Sequence, residues 1–316
     1  MTIGIAAFGP KSGAGVLAGL QAVERVGRGA IGGFVSLAVL TIDGELKRAT
    51  TQQGGAAAVL ADGLSGGMAN APLAGLISSG PNRPEPLSDF VAADPGVGLV
   101  TGHRMPHTRA EDGEPLNRHV MAHMRRGLDP QEAIDRVLAS YPDRDAGFLA
   151  ITPDGKVGMG STYPVLGRAD QGSGLLWAKG SPHLAASIHN AIHPSGVISA
   201  LANEATLDSM YLAHAQTTWI RMIAGIALER SDQSQISITP DGVVNRIFHP
   251  HRAHFSGEWS VGLGDRVEVL RDGQHVGWLG YEPFMTILDG TVQCVDGLDT
   301  VDVPVFDRLP HHQSHA

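Results

Sequence analysis

The strongest constraint on this 316-residue chain lies in residues 29–55, GAIGGFVSLAVLTIDGELKRATTQQGG. Phe34 to Leu40 is a near-continuous apolar run rich in β-branched and aromatic residues, the pattern of a strand buried on both faces. Asp43-Gly44 supplies a reversal, because both residues tolerate positive φ. Glu45 to Thr51 reads as a more polar return strand ending at a glycine pair. The pattern recurs at 147–160, GFLAITPDGKVGMG, and more faintly at 235–244, QISITPDGVV. The element is therefore used at least twice, with one helical layer between the copies.

The length suits one large domain or two. An apolar content of 42% with 17% charged residues is that of a globular chain. The longest apolar run falls short of the ~20 residues of a membrane span, and MTIGIAAFGPKSG lacks the basic start of a secretory signal. The single cysteine, Cys294, excludes an internal disulfide and fits a reducing cytoplasm. A net charge of −9 without a Lys/Arg cluster argues against nucleic acid and anionic membrane as partners. A small molecule is the expected partner, no cofactor is called for, and a homo-oligomer is left open.

In chain order, residues 2–8 form a short apolar strand, Gly9 to Gly13 a loop, and Ala14 to Gly27 a helix with apolar residues at 16, 20 and 23. The loop GPKSG lacks the spacing of a phosphate-binding P-loop. Residues 54–86 read as loop-rich, and such a long irregular stretch is usually functional. Val97 to Thr101 is a strand that runs into Gly102 and His103. Pro115 to Arg126 is a helix with Leu116, Val120 and Met124 on one stripe. Asp129, Pro130 and Glu132 open the next helix as N-cap, first residue and capping-box acid. The pattern beyond residue 178 reads as helical to about Arg230, and from Glu258 as short strands. The expected organisation is a core over residues 1–250, a small β-rich module over 255–310 and a tail over 311–316.

Hairpin, glycine loop, Thr-Gly, helix pair and second hairpin, in that order, resemble the N-terminal-nucleophile (Ntn) hydrolase superfamily, in particular the glycosylasparaginase and isoaspartyl peptidase branch. The branch's hairpin, T-V-G-A-V-A-x-D-x-x-G-x-x-A-A-A-T-S-T-G-G, lies over FVSLAVLTIDGELKRATTQQGG with Gly44 and Thr50 in step. Its G-D-S-P-L-I-G-A-G is matched by Ala69-Asn70-Ala71-Pro72-Leu73-Ala74-Gly75, its T-G-x-G-E by Thr101-Gly102-His103, and its last hairpin by GFLAITPDGKVGM. The match covers residues 29–165. It implies an α+β, Ntn-like αββα sandwich with a small β-rich C-terminal module, and an activity on the amide of a small, amino-acid-like substrate. It implies an oxyanion role for Thr101 and Gly102, and places Thr50 or Thr51 beside the reacting carbon. The substrate-binding set is Gly54, Gly55 and Asn70. The family's nucleophile is a Thr freed by self-cleavage, whose own α-amine is the base. In this register Phe34 stands there, and a shifted register places Ala30 there. Neither has a nucleophile, so no self-cleavage is expected at the hairpin. Asn70 or Ala71 replaces the Asp of G-D-S-P.

Beside these residues, His103 and His107 could act as a general base near neutral pH. Thr2 is another candidate nucleophile: removal of Met1 frees its α-amine, and an apolar strand follows. A helix and not a hairpin comes after that strand, so the leading reading stays with Thr50, Thr51, Thr101, Gly102 and His103 around one pocket, roofed by the 54–86 loop. The pairs His119/His123 and His189/His193 have the i, i+4 spacing of a shared helix face, and His249, His251 and His254 are closer still. No H-E-x-x-H or cysteine cluster accompanies them, and no metal is assigned. The function expected is amide hydrolysis. The alternatives are an inactive Ntn-like protein that binds a small ligand or partner subunit, and a metal-dependent hydrolase using the histidines.

Overall fold

The three Asp-Gly reversals close through the same bonds in a computed structural model, which describes residues 2–103, 108–178, 181–212, 217–264 and 266–307. Thr41 N–H donates to Glu45 O at 2.9 Å, and Gly44 N–H donates back to Thr41 O at 2.9 Å. Thr152, Gly155 and Lys156 repeat this at 3.0 and 3.0 Å, and Thr239, Gly242 and Val243 at 2.8 and 2.9 Å. In each turn the leading Thr hydroxyl also accepts the N–H of the residue four positions on. Gly44 sits at φ +77°, which a side chain at that position would resist.

The chain divides into two units between residues 213 and 214. The first contains β1 (Thr2–Phe8), α1 (Ser12–Val26), β2 (Val35–Leu40), β3 (Leu46–Thr51), α2 (Gly55–Ala61), α3 (Gly66–Ala69) and β4 (Leu73–Ser79). A 3-10 turn at Leu87–Phe90 leads to β5 (Ala92–Asp94), β6 (Gly98–His103), α4 (Leu116–Arg125), α5 (Pro130–Ser140), β7 (Gly147–Ile151) and β8 (Val157–Ser161). It closes with α6 (Tyr163–Leu166), β9 (Gln171–Trp177), β10 (Leu184–Asn190) and α7 (Ser195–Leu212).

Ten strands make two antiparallel sheets, ordered β3-β2-β4-β1-β10-β9 and β5-β6-β7-β8. The sheets face each other, α1 and α7 cover the first, and α4 and α5 cover the second. Strand alternation explains the layering. Ile3, Ile5, Val35, Leu37 and Val39 point to α1 and α7 and join Leu17, Leu20 and Ile198 in one core. Ala6, Ala38, Leu99, Leu149 and Ile151 fill the space between the sheets, and Val100, Phe148 and Ala150 pack against α4 and α5. The sheets approach closely at Gly4, where a Cβ would lie 2.7 Å from Gly102 N. The expected cap of α5 is present: the Asp129 carboxylate accepts from Gln131 N–H at 3.2 Å, and Pro130 is the first residue.

The second unit holds β11 (Thr217–Ile223), β12 (Leu228–Arg230), β13 (Gln235–Ile238), β14 (Val244–His249), β15 (Glu258–Gly262), β16 (Glu268–Arg271), β17 (Gln274–Leu279), β18 (Phe284–Leu288), β19 (Thr291–Val295) and β20 (Thr300–Phe306). They form a seven-stranded and a three-stranded sheet around one Val/Ile-rich core.

The structure corrects three expectations. Residues 54–86 are no roof loop: they contain α2, α3 and β4, a wholly buried strand next to the centre of the first sheet. Residues 178–230 are not continuously helical, since β10 precedes α7 and β11 and β12 follow it. The boundary expected at 250–255 moves to 213/214, because β11 to β14 pair into the seven-stranded sheet of the second unit. The tail at 311–316 lies outside the described residues.

Phe34, Leu37, Val39, Phe148 and Ile151 are at most 1% exposed, as a hairpin-centred core requires. The Phe34 ring sits 4.7 Å from Phe90, centroid to centroid. Phe34→Ala is expected to cost about 3–5 kcal/mol in urea denaturation. A loss below about 1 kcal/mol would show that the strand is not central.

Candidate functional site at the end of the central strand

The residues expected to share a pocket are dispersed. Thr101 is wholly buried, and its hydroxyl donates to Leu76 O of the facing sheet at 2.8 Å. That bond ties the two sheets together and uses the hydroxyl assigned to the oxyanion. Gly102 is packed against Gly4. Thr50 and Thr51 are consecutive on edge strand β3, so they project to opposite faces. Thr50 lies opposite Ser36 and is exposed, while the Thr51 hydroxyl donates to Gln53 O at 2.6 Å. Gly54 and Gly55 open α2, and Gly55 N–H donates to Gly33 O. Asn70 is an exposed residue ahead of β4. It sits at the opposite end of that strand from Ser79, about 20 Å away at strand spacing. His107 lies outside the described residues.

One end of the first sheet does gather chemistry. Thr2 is the first residue of β1, a strand flanked on both sides. It pairs with Ser79 of β4 and with Asn190 of β10. Residues opposite one another present side chains to one face, so Thr2, Ser79 and Asn190 form a row facing the second sheet. All are buried, at 6%, 1% and 1% exposure. Asn190 Nδ2 lies 3.4 Å from Nδ1 of the wholly buried His103. Asn190 Oδ1 is buried with no hydrogen-bond partner among the described residues, an acceptor that a buried site does not ordinarily waste.

An arginine continues the row. Arg83 Nη2 donates to Ser79 Oγ, and Arg83 Nε donates to Gly80 O at 3.2 Å. Gln52, at the end of the first hairpin, accepts from Arg83 N–H and donates to Arg83 O, both at 2.8 Å. The guanidinium lies 5.9 Å from the centroid of the Phe34 ring. Phe34 thus lies beside a cation. A pocket of about 660 Å³ opens here, lined by Arg28, Ala30, Arg83, Arg168, Asp170 and His193, among others. Arg168 is held by Asp170 through two bonds at 2.7 and 2.8 Å, and this pairing holds the Asp170 carboxyl below its usual range. Arg28 Nη1 donates to Val26 O and Gly27 O.

The histidine pairs do not build metal centres. His189 lies on β10 and His193 in the following turn, so the expected helix face does not exist. His189 Nδ1 meets Ser199 Oγ at 2.9 Å, and burial pushes its pKa down to about 4. His119 faces Asp112 at 3.3 Å. Burial lowers the His123 pKa, with Arg126 adding to the effect. In the second unit His249 Nδ1 accepts the His251 N–H at 3.1 Å, which leaves the ring proton on Nε2. That nitrogen faces His254 Nδ1 at 3.1 Å, so a hydrogen bond occupies the position a metal would need. Among the described residues no group of three or more His, Cys, Asp or Glu has metal-holding geometry. No helix of the described residues is long and apolar enough to cross a membrane.

Ser79, Arg83 and Asn190 were not legible as site residues. LAGLISS and LAASIHN are wholly buried strands built from small residues, and such strands lack the polar/apolar alternation that marks a half-buried one. The signal that was available is Thr2 itself, heading an apolar strand.

An α+β unit with a polar row at the end of its central strand is thus defined by structure alone. The chain belongs to the family described as "Domain of unknown function (DUF6963)", which matches residues 2–219. Residues 225–300 match a second family, "Domain of unknown function (DUF7259)". No curated protein matches this chain. Among solved structures, a glutamine phosphoribosylpyrophosphate (PRPP) amidotransferase from B. subtilis, complexed with ADP and GMP, is similar at 13% identity and a TM-score of 0.40. The match covers 59% of this chain and 41% of that one, less than half of its length.

Proposed function

We propose that the first unit is an Ntn-like hydrolase that cleaves an amide in a small, carboxylate-bearing, amino-acid-like molecule, with Thr2 as its nucleophile. The register that sets Thr2 between Ser79 and Asn190 carries this reading, and Arg83, which donates to Ser79, links that row to the arginine-lined pocket. Once whatever precedes Thr2 is removed, its α-amine, with an ordinary pKa near 7.7–8.0, takes the hydroxyl proton as Oγ attacks the amide carbon. The C–N bond then breaks, the proton leaves with the amine, and water hydrolyses the Thr2 ester. Asn190 Oδ1 would accept from the α-amine and hold it beside the hydroxyl. Arg28 and Arg83 would hold the substrate carboxylate, since a guanidinium fork matches two carboxylate oxygens. The lone Cys294 fits a reducing compartment, and on that ground the cytoplasm is its place of action.

A panel of amino-acid amides and N-acyl amino acids, assayed for released ammonia or free amine, tests the reaction class. Turnover is expected for members with a free carboxylate. Loss of that preference would remove the role given to the arginines. The chain is also expected to remain a single polypeptide beyond Thr2, because Phe34 cannot carry out an N-to-O acyl shift. Fragments parting near residues 29–34 on a denaturing gel would contradict this. One observation favours a ligand-binding protein without turnover: the family's nucleophile position is filled by a core aromatic, Phe34. Saturable binding of the same amides, with no product after prolonged incubation of a chain beginning at Thr2, would support that alternative.

A further inference from the structure

A second pocket of about 350 Å³ lies away from the Thr2 row, between edge strand β3, the 3-10 turn, edge strand β5 and helix α4. Its wall includes three arginines, Arg48, Arg118 and Arg125, with one carboxylate, Asp89. We propose that it binds a phosphate monoester or a comparable phosphate dianion. This rests on residues separate from those of the hydrolase reading.

The arginines come from distinct places and are fixed before any ligand arrives. Arg48 projects from β3 and spends Nη1 on two backbone carbonyls, Ser88 O at 3.2 Å and Val91 O at 3.0 Å. Its Nε and Nη2 make no hydrogen bond, and it forms no ion pair, among the described residues. Burial, with Arg118 nearby, pulls its pKa below the usual value, while Asp89 opposes this. Arg118, in the first turn of α4, is gripped by Asp89 at 2.8 Å and Glu114 at 3.2 Å. Arg125, two turns on, bonds Asp94 through Nε at 2.6 Å. Its two terminal nitrogens make no bond among the described residues. Asp94 and Glu114 do not line the pocket, so they steady Arg125 and Arg118 from outside it, while Asp89, the second partner of Arg118, belongs to the wall.

The geometry selects the anion. A carboxylate has two oxygens in a plane and is satisfied by one fork. Three guanidiniums arriving from β3 and from two turns of a helix are better matched by a tetrahedral group with three terminal oxygens. Met121 and the segment 91–93 leave room for a small organic portion.

Titration of the full chain with inorganic phosphate at constant ionic strength, followed by isothermal calorimetry, tests the proposal. Saturable binding at one site per chain is expected, weakened by about tenfold or more in Arg48→Gln and in Arg125→Gln, as loss of a charge-assisted bond predicts. Arg136→Gln, an exposed change on α5, should leave binding unchanged. Arg125 is exposed, so Arg125→Gln keeps the test open if Arg48→Gln folds poorly. The proposal is overturned if phosphate does not saturate, if Arg125→Gln binds as wild type does, or if acetate binds as tightly as phosphate.

Discussion

Thr2→Ala is expected to lower amide turnover by about 10⁴-fold or more, the scale on which removal of a nucleophile acts. The change deletes one hydroxyl and one methyl from a side chain at the sheet's end. The pairing of β1 with β4 and β10 depends on the backbone and survives it. Circular dichroism and the urea midpoint should therefore move little while product formation stops. Thr2→Ser keeps both hydroxyl and α-amine and should retain measurable turnover. The hairpin threonines supply the contrast. Thr50→Ala should stay within about threefold of wild type, because Thr50 is an exposed residue of an edge strand. Thr101→Val should act on stability, by about 1 kcal/mol, because it removes a buried bond between sheets.

Acid should weaken each unit through a buried histidine. His189 in the first unit and His249 in the second are at most 2% exposed, and both have pKa values pushed down to about 4 from 6.5. Burial is the main cause for both. For His249 the neighbouring His254 and His251 add to it. For His189 the Ser195 backbone and the Asp170 charge oppose it. A histidine held neutral in the folded state favours folding above its unfolded pKa. As pH falls below about 6.5 the unfolded chain takes up the proton and the folded chain does not, so stability drops until the folded pKa is reached. At pH 5 the loss is about 2 kcal/mol for each group, rising to about 3 kcal/mol near pH 4. Urea denaturation between pH 7 and pH 5 measures it. His249→Gln should flatten the slope for the second unit, and an unchanged slope would show that His249 is not held neutral.

The parts of the fold that were legible share a physical reason: their signals are local. The three Asp-Gly turns need left-handed backbone at one residue, and Thr41, Thr152 and Thr239 close them with their own hydroxyls. The cap at Asp129 and the hairpin core around Phe34 and Phe148 are local in the same way. What was missed depends on long-range pairing. LAGLISS resembles a loop and LAASIHN a helix in sequence, because a strand covered on both faces by small residues has neither alternation nor bulk. Thr101 followed its motif into β6, yet the approach of the sheets at Gly4 and Gly102 turned its hydroxyl into a structural bond. Asn190 and Arg83 join Thr2 across strands that are distant in sequence, and no spacing along the chain encodes that.

Thr2 is proposed to act through its own hydroxyl and free α-amine. A peptide α′,β′-epoxyketone closes a morpholine ring only on a residue that carries both groups. Incubation of the active chain with such a reagent, followed by peptide mass spectrometry, should find the ring adduct on Thr2, formed in step with loss of amide turnover. Turnover that persists once the ring has formed on Thr2, or inactivation with a simple ether adduct on Thr50 or Thr51, would contradict that role.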